Sequence, residues 1–138
     1  MTPRPLQTSA ILYDRDCGLC RWSLAKVLAW DRRRELRPVA LQDPDADALL
    51  DGMDEERRMA SWHLVTPDGR VHSAGAAVAP LLRLLPGGRP LAAAAARFPR
   101  GTDRLYFAVA NHRSTLGKLT TAAARERAHT RIERRELE

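Results

Sequence analysis

Cysteine is nearly absent from this chain: its 138 residues include two, Cys17 and Cys20, both within "LYDRDCGLC". That scarcity limits metal chemistry, because a closed zinc site needs four ligands and this pair supplies two. Aromatics are also few, three Trp, two Tyr and two Phe, so the core must be built from Leu, Val and Ala. Long apolar runs are missing. Nothing approaches the ~18 consecutive apolar residues of a membrane span, and the most apolar segment, "AGAAVAPLLRLLP", is interrupted by Pro80 and Arg83. The start, "MTPRPLQTSAILY", carries two early prolines and only a short apolar run, where a secretory signal needs a longer apolar region. A cytoplasmic location and no membrane partner are the expectation. In a reducing compartment a CxxC is more often catalytic or metal-binding than a structural crosslink.

What is present describes an ordinary globular domain. Hydrophobic residues make up 44% and charged residues 29% of a length that suits one core rather than two. The net charge of +6 comes mostly from arginine, but acids are interleaved with it in "DEERR" and "RIERRELE". No motif combining aromatic and basic residues accompanies the charge, so a nucleic-acid partner is not expected. No internal repeat is apparent.

The pattern along the chain alternates. "SAILY" (Ser9 to Tyr13) is a continuous apolar run, which predicts a short strand covered on both faces. A helix should follow from Gly18 or Leu19 to about Arg33, with Cys20, Leu24, Val27 and Leu28 on one face. Arg32, Arg33 and Arg34 would sit in its last turn, where cations suit the helix dipole. "LRPVALQ" (Leu36 to Gln42) predicts a second strand. Asp43 as cap and Pro44 at the first helical position predict a helix toward Leu50, with another turn or two in "DEERRMA". Trp62 to Thr66 and Arg70 to Ser73 flank Pro67-Asp68-Gly69, which predicts a β-hairpin. "SAGAAVAPLLRLLPGG" predicts a helix that Pro80 either kinks or restarts. "RPLAAAAARFP" and "TDRLYFAVANHR" predict two more, the latter capped by Thr102 or Asp103. The charged tail after Gly117 predicts a docked or fraying helix with Leu119, Ala123 and Ile132 as its sparse apolar face.

Strand, helix, strand, helix, hairpin, helix describes an α/β domain. A βαβ unit gives two parallel strands with a right-handed crossover. The hairpin then completes a four-stranded mixed sheet flanked by helices, the thioredoxin-like arrangement. Residues 1–116 would form this domain, with a core over about 9–113, and 117–138 a charged C-terminal helical extension.

At a helix start, positions i and i+3 are neighbours, so Cys17 and Cys20 can bond with little backbone movement. The loop such a bond closes is tiny and restrains little of the unfolded chain; exchange chemistry explains the pair better than stability does. Cys17, at the first turn, should face solvent and act as nucleophile. Cys20, one turn in, should be more buried and act as the resolving thiol. The helix start and the flanking Arg15 and Arg21 favour a thiolate at Cys17, while Asp14 and Asp16 oppose it, by roughly 1–3 kcal/mol each. These terms nearly balance. Asp14, ending the first strand, is a candidate general base for Cys20, or else a loop or cap aspartate. His63 and His72, candidate cross-strand neighbours on the hairpin, have no spacing that links them to the cysteines; no metal ligands are assigned.

Asp14-x-x-Cys17-x-x-Cys20 after "ILY", the later "PDGRVHSAGAAVAPLLRLLP" and the terminal "LYFAVANHR" together resemble the DCC family of thiol–disulfide oxidoreductases. The resemblance spans about Ala10 to Arg113. It implies a thioredoxin-like fold with Asp14, Cys17 and Cys20 as the motif residues. Two departures stand out. Family members often have glycine after the motif Asp; here it is Arg15. Thioredoxins carry a cis-proline before the third strand, whereas this chain has "MASWHLV", with Ser61 or Trp62 in the position facing the thiols. Arg15, Asp16, Ser61 and Trp62 are the candidate substrate contacts, while Asn111 and Arg113 suit structural roles. The expected function is thiol–disulfide oxidoreduction without a bound cofactor, on a protein or small-molecule thiol or disulfide. The alternatives are a non-catalytic thioredoxin-like binding module and a metal carrier using both thiolates. Nothing in the sequence fixes an oligomeric state.

Overall fold

Two parallel strands and an antiparallel hairpin form the centre of the molecule. A computed structural model describes residues 8–112 and 122–137. Its elements are β1 (Ser9–Tyr13), α1 (Gly18–Trp30), β2 (Leu36–Ala40), α2 (Pro44–Leu49), α3 (Glu55–Ala60), β3 (His63–Val65) and β4 (Val71–Ser73). A 3-10 turn (Ala74–Ala77) then leads into α4 (Val78–Leu84), followed by α5 (Arg89–Arg97), α6 (Pro99–Asn111) and α7 (Ala122–Leu137). Sheet order is β2-β1-β3-β4. β1 runs parallel to β2 with Ile11 opposite Pro38, and antiparallel to β3 with Ile11 opposite Leu64. The fold is thioredoxin-like, as the order of elements predicts.

Pro38 lacks an N–H to give a neighbour, and β2 is an edge strand, where that loss is tolerated. The hairpin turn follows its sequence: the Gly69 N–H donates to the Thr66 carbonyl at 2.9 Å, and Gly69 takes φ +85, which glycine adopts without strain.

Both faces of the sheet are covered. Ile11, Tyr13, Leu36 and Leu64 pack with Leu24 and Leu28 of α1, Leu81 of α4 and Ile132 of α7. On the other face Ala10, Leu12, Val39 and Val65 pack with Leu41, Ala46 and Leu50, and with the partly buried Met53 and Met59. The continuous apolar run of β1 has this cause: alternate side chains enter different cores, and all five residues are buried.

Several local expectations are corrected. The first helix stops at Trp30 rather than Arg33. Asp31 is the reason: its carboxylate accepts the N–H groups of Glu35 and Leu36, both at 3.0 Å, and this turns the chain. Arg32, Arg33 and Arg34 therefore lie exposed in a turn, Arg34 at φ 56, and not at a helix end. Pro80 falls in the first turn of α4, where a missing N–H costs no helical bond. Neither Thr102 nor Asp103 caps α6, which begins at Pro99. Inside that helix the Thr102 hydroxyl reaches the carbonyl of Phe98 at 2.9 Å, and Asp103 accepts the Gly75 N–H at 3.3 Å.

α7 is docked, but on a face rotated from the expected one. Ala128 and Ile132 are buried, whereas Ala123 is exposed. Leu119 and Arg113 lie outside the described residues. Among the described residues, no helix is long and apolar enough to cross a membrane.

Candidate functional site

The site forms where two parallel strands end side by side. Beyond Tyr13, the Leu41 N–H donates to the Tyr13 carbonyl at 2.8 Å, so the chain leaving β1 runs next to Gln42. Gln42 clamps that loop from both ends of its amide. Its Oε1 accepts the Arg15 N–H at 3.1 Å, and its Nε2 donates to Asp14 Oδ1 at 2.8 Å. The same Asp14 oxygen accepts the Asp16 N–H at 2.9 Å, closing an Asx-type turn. The Asp14 carbonyl in turn accepts the Cys17 N–H at 3.2 Å.

This loop delivers Cys17 to the N-cap of α1 in extended conformation. Its Sγ takes the place of a capping oxygen and accepts the Cys20 N–H at 3.3 Å. The Cys17 carbonyl accepts from Arg21 at 3.0 Å, the first bond of the helix. Both cysteines are thiols, and both are half-buried. The expected contrast, Cys17 exposed and Cys20 buried, is thus smaller than its positions suggested. What separates them is the cavity: Cys20 lines it, and Cys17 is not among its lining residues.

The cavity is about 310 Å³ and lies between α1, the segment entering β3, α4 and α6. It brings together four of the predicted site residues, Asp14, Cys20, Ser61 and Trp62. Arg15 and Asp16 are exposed and lie outside its lining. Ser61 ends α3, and its hydroxyl donates to the Trp62 carbonyl at 3.2 Å. There is no cis peptide among the described residues.

Two contributors escaped the sequence reasoning. Gln42 gives no local signal, since its role depends on parallel pairing with a strand 28 positions away. Tyr106 had one: with Val109 and Ala110 it makes an i, i+3, i+4 face on α6, and all three line the cavity. Its Oη accepts the Trp62 N–H at 3.2 Å, joining α6 to the approach of β3. Asn111, by contrast, ends α6 exposed.

The histidines prove to be separate from this site and from each other. His63 opposes Ser73 and His72 opposes Leu64, so the two rings leave opposite faces of the hairpin and are not a cross-strand pair. His63 is buried, with Nδ1 2.6 Å from Ser73 Oγ and Nε2 2.9 Å from the Arg58 carbonyl. A carbonyl only accepts, so the proton sits on Nε2, and the Ser73 hydroxyl donates to Nδ1. Burial holds this imidazole below its usual value of 6.5, helped by the cationic Arg57 and Arg58, while the bond to the Arg58 carbonyl pulls the other way. Arg21, expected beside the thiols, reaches instead across to His129 of α7, which pairs with Glu133 at 2.8 Å. Among the described residues, no three His, Cys, Asp or Glu side chains are grouped to hold a metal ion.

Comparison with curated proteins and with solved structures gave no match. Against family models, residues 11–119 match the DCC1-like thiol-disulfide oxidoreductase model. That stretch takes in the strand, the CxxC at the head of α1, the hairpin and the helices that wall the cavity, and this chain belongs to the DCC1-like thiol-disulfide oxidoreductase family.

Proposed function

We propose that this protein exchanges thiols and disulfides through Cys17 and Cys20, with Cys17 as nucleophile and Cys20 as the resolving thiol. The observation that carries the reading is the Cys20 N–H aimed at Cys17 Sγ at the start of α1. A hydrogen bond of this kind strengthens as its acceptor gains negative charge, and the helix N-terminus favours the same charge.

In the forward step, Cys17 thiolate attacks one sulfur of a substrate disulfide. A Cys17–substrate bond forms, and the other substrate sulfur leaves as thiolate. Cys20 then loses its proton and attacks Cys17 Sγ, releasing the second thiol and leaving a Cys17–Cys20 disulfide. Two electrons pass from the dithiol to the substrate. Asp14 takes that proton as general base; its sharing of the cavity wall with Cys20 supports this role.

The roles separate in single variants incubated with a disulfide and analysed by mass spectrometry. Cys17→Ser abolishes exchange, and Cys20→Ser accumulates a mixed disulfide on Cys17. Full turnover by Cys20→Ser would overturn the role assignment.

A further inference from the structure

The cavity beside Cys20 indicates what kind of disulfide the site accepts. Resting on the proposed exchange chemistry, we infer that the substrate is a small disulfide with an uncharged apolar substituent, seated between α1, α4 and α6. An anionic peptide such as glutathione disulfide, or an extended protein segment, does not suit the site.

Three observations lead there. The first is size: about 310 Å³ is at the low end of small-molecule sites and roughly twice the ~150 Å³ that admits benzene. The second is chemistry. The walls include Leu19, Val27, Val78, Leu81, Trp62 and Val109, and among the described lining residues the single formal charge is Asp14. Among the described lining residues no lysine or arginine is present to receive a substrate carboxylate, and Asp14 repels one. The third concerns the chain entering β3. A backbone N–H ahead of that strand is what an extended polypeptide would pair with, and here the Trp62 N–H is already given to Tyr106 Oη. α6 thus occupies the N–H that a protein substrate would need and leaves a pocket beside it.

In the resulting step, Cys17 attacks R–S–S–R with one R group in the pocket; R–S⁻ leaves, and Cys20 displaces the second R–S⁻ as the protein disulfide forms. Burial of a methylene in the pocket during this attack raises the rate by about fourfold.

The test is the rate of dithiol oxidation in the intact protein, followed by mass spectrometry with thiol alkylation. The probes are dipropyl disulfide and bis(2-hydroxyethyl) disulfide, which match in length and differ at the arm terminus. Each rate is divided by that of dithiothreitol with the same probe, which removes intrinsic reactivity. The expected result is a normalised preference of at least fivefold for the propyl arm, and slower reaction of glutathione disulfide than of either. Ala110→Trp and, independently, Val78→Phe fill the pocket and should bring the preference close to one. A preference near one in the native protein, or one that both filled variants retain, overturns the inference while leaving exchange chemistry in place. Thiols inert to every probe overturn the exchange reading itself.

Discussion

A carboxamide controls the geometry around the thiols. Gln42 holds Arg15 N–H and Asp14 Oδ1 together, and Asp14 in turn fixes the turn that leads to Cys17. Removing an exposed side chain that makes two hydrogen bonds costs about 1 kcal/mol in positional free energy. Gln42→Ala should therefore slow exchange roughly threefold to tenfold, with a urea midpoint almost unchanged; an equal rate would mean the loop holds itself. His63 supports a prediction of a different kind. Because burial lowers its folded value, both folded and unfolded states carry a neutral ring well above pH 6.5. Below that pH the unfolded chain takes up the proton and the folded chain does not. Stability therefore falls as pH drops from about 6.5, until the folded-state ring protonates. His63→Gln, which can still donate to the Arg58 carbonyl, should show a shallower loss of stability between pH 7.5 and 5 in urea titrations. An identical slope in both proteins would contradict this role.

At the scale of elements, the C-terminal helix is locked to the end of α1 by one buried ion pair. Arg135 Nη1 lies 2.7 Å from Asp31 Oδ2, and the same guanidinium donates to the carbonyls of Leu28 at 3.1 Å and Leu36 at 3.3 Å. The Asp31 side chain is wholly buried and that of Arg135 is 14% exposed. Deleting one partner leaves the other uncompensated, so Arg135→Ala should cost roughly 3–5 kcal/mol in chemical denaturation. A cost below about 1 kcal/mol would mean that the pair contributes little. The mounting of α6 is equally specific. A Cβ on Gly75 would lie 2.5 Å from Asp103 Cα, a backbone atom that cannot step aside alone. Gly75→Ala must push α6 outward, part Tyr106 from Trp62 and open the pocket wall, at about 1–3 kcal/mol. Thermal unfolding and tryptophan emission would report both effects. Neither contact was legible in the sequence. Asp31 and Arg135 are 104 positions apart, and the three arginines beside Asp31 drew attention to the helix dipole and away from the carboxylate. Thr102 and Asp103 looked like caps because their residue types favour caps, but Pro99 had already opened the helix three residues earlier.

For the molecule as a whole, periodicity and turn chemistry carried the architecture. The unbroken "SAILY" predicted a strand with two covered faces, and it is buried throughout. Pro67-Asp68-Gly69 predicted the hairpin, and the position of the CxxC at the first strand-to-helix junction followed from element order. The cavity was not legible, because its walls come from elements that span Ile11 to Ala110 and meet only after folding. Sequence neighbours such as Arg15 and Asp16 attracted attention by adjacency to the thiols, while the cavity wall drew on Tyr106, Val78 and Leu81. The fold thus places Cys20 in the wall of an apolar chamber and Cys17 one helical turn away, in a family of thiol-disulfide oxidoreductases.

The central claim is that Cys17 and Cys20 exchange electrons as a pair. Holding the protein in a series of glutathione redox buffers until its thiol content no longer changes, which allows for the slower reaction of glutathione disulfide, then alkylating and weighing it, tests this directly. The account predicts a single two-electron transition in which both thiols disappear together, and its loss in Cys17→Ser. Thiols that stay reduced across the whole series, or that take up glutathione singly without closing on each other, would contradict it.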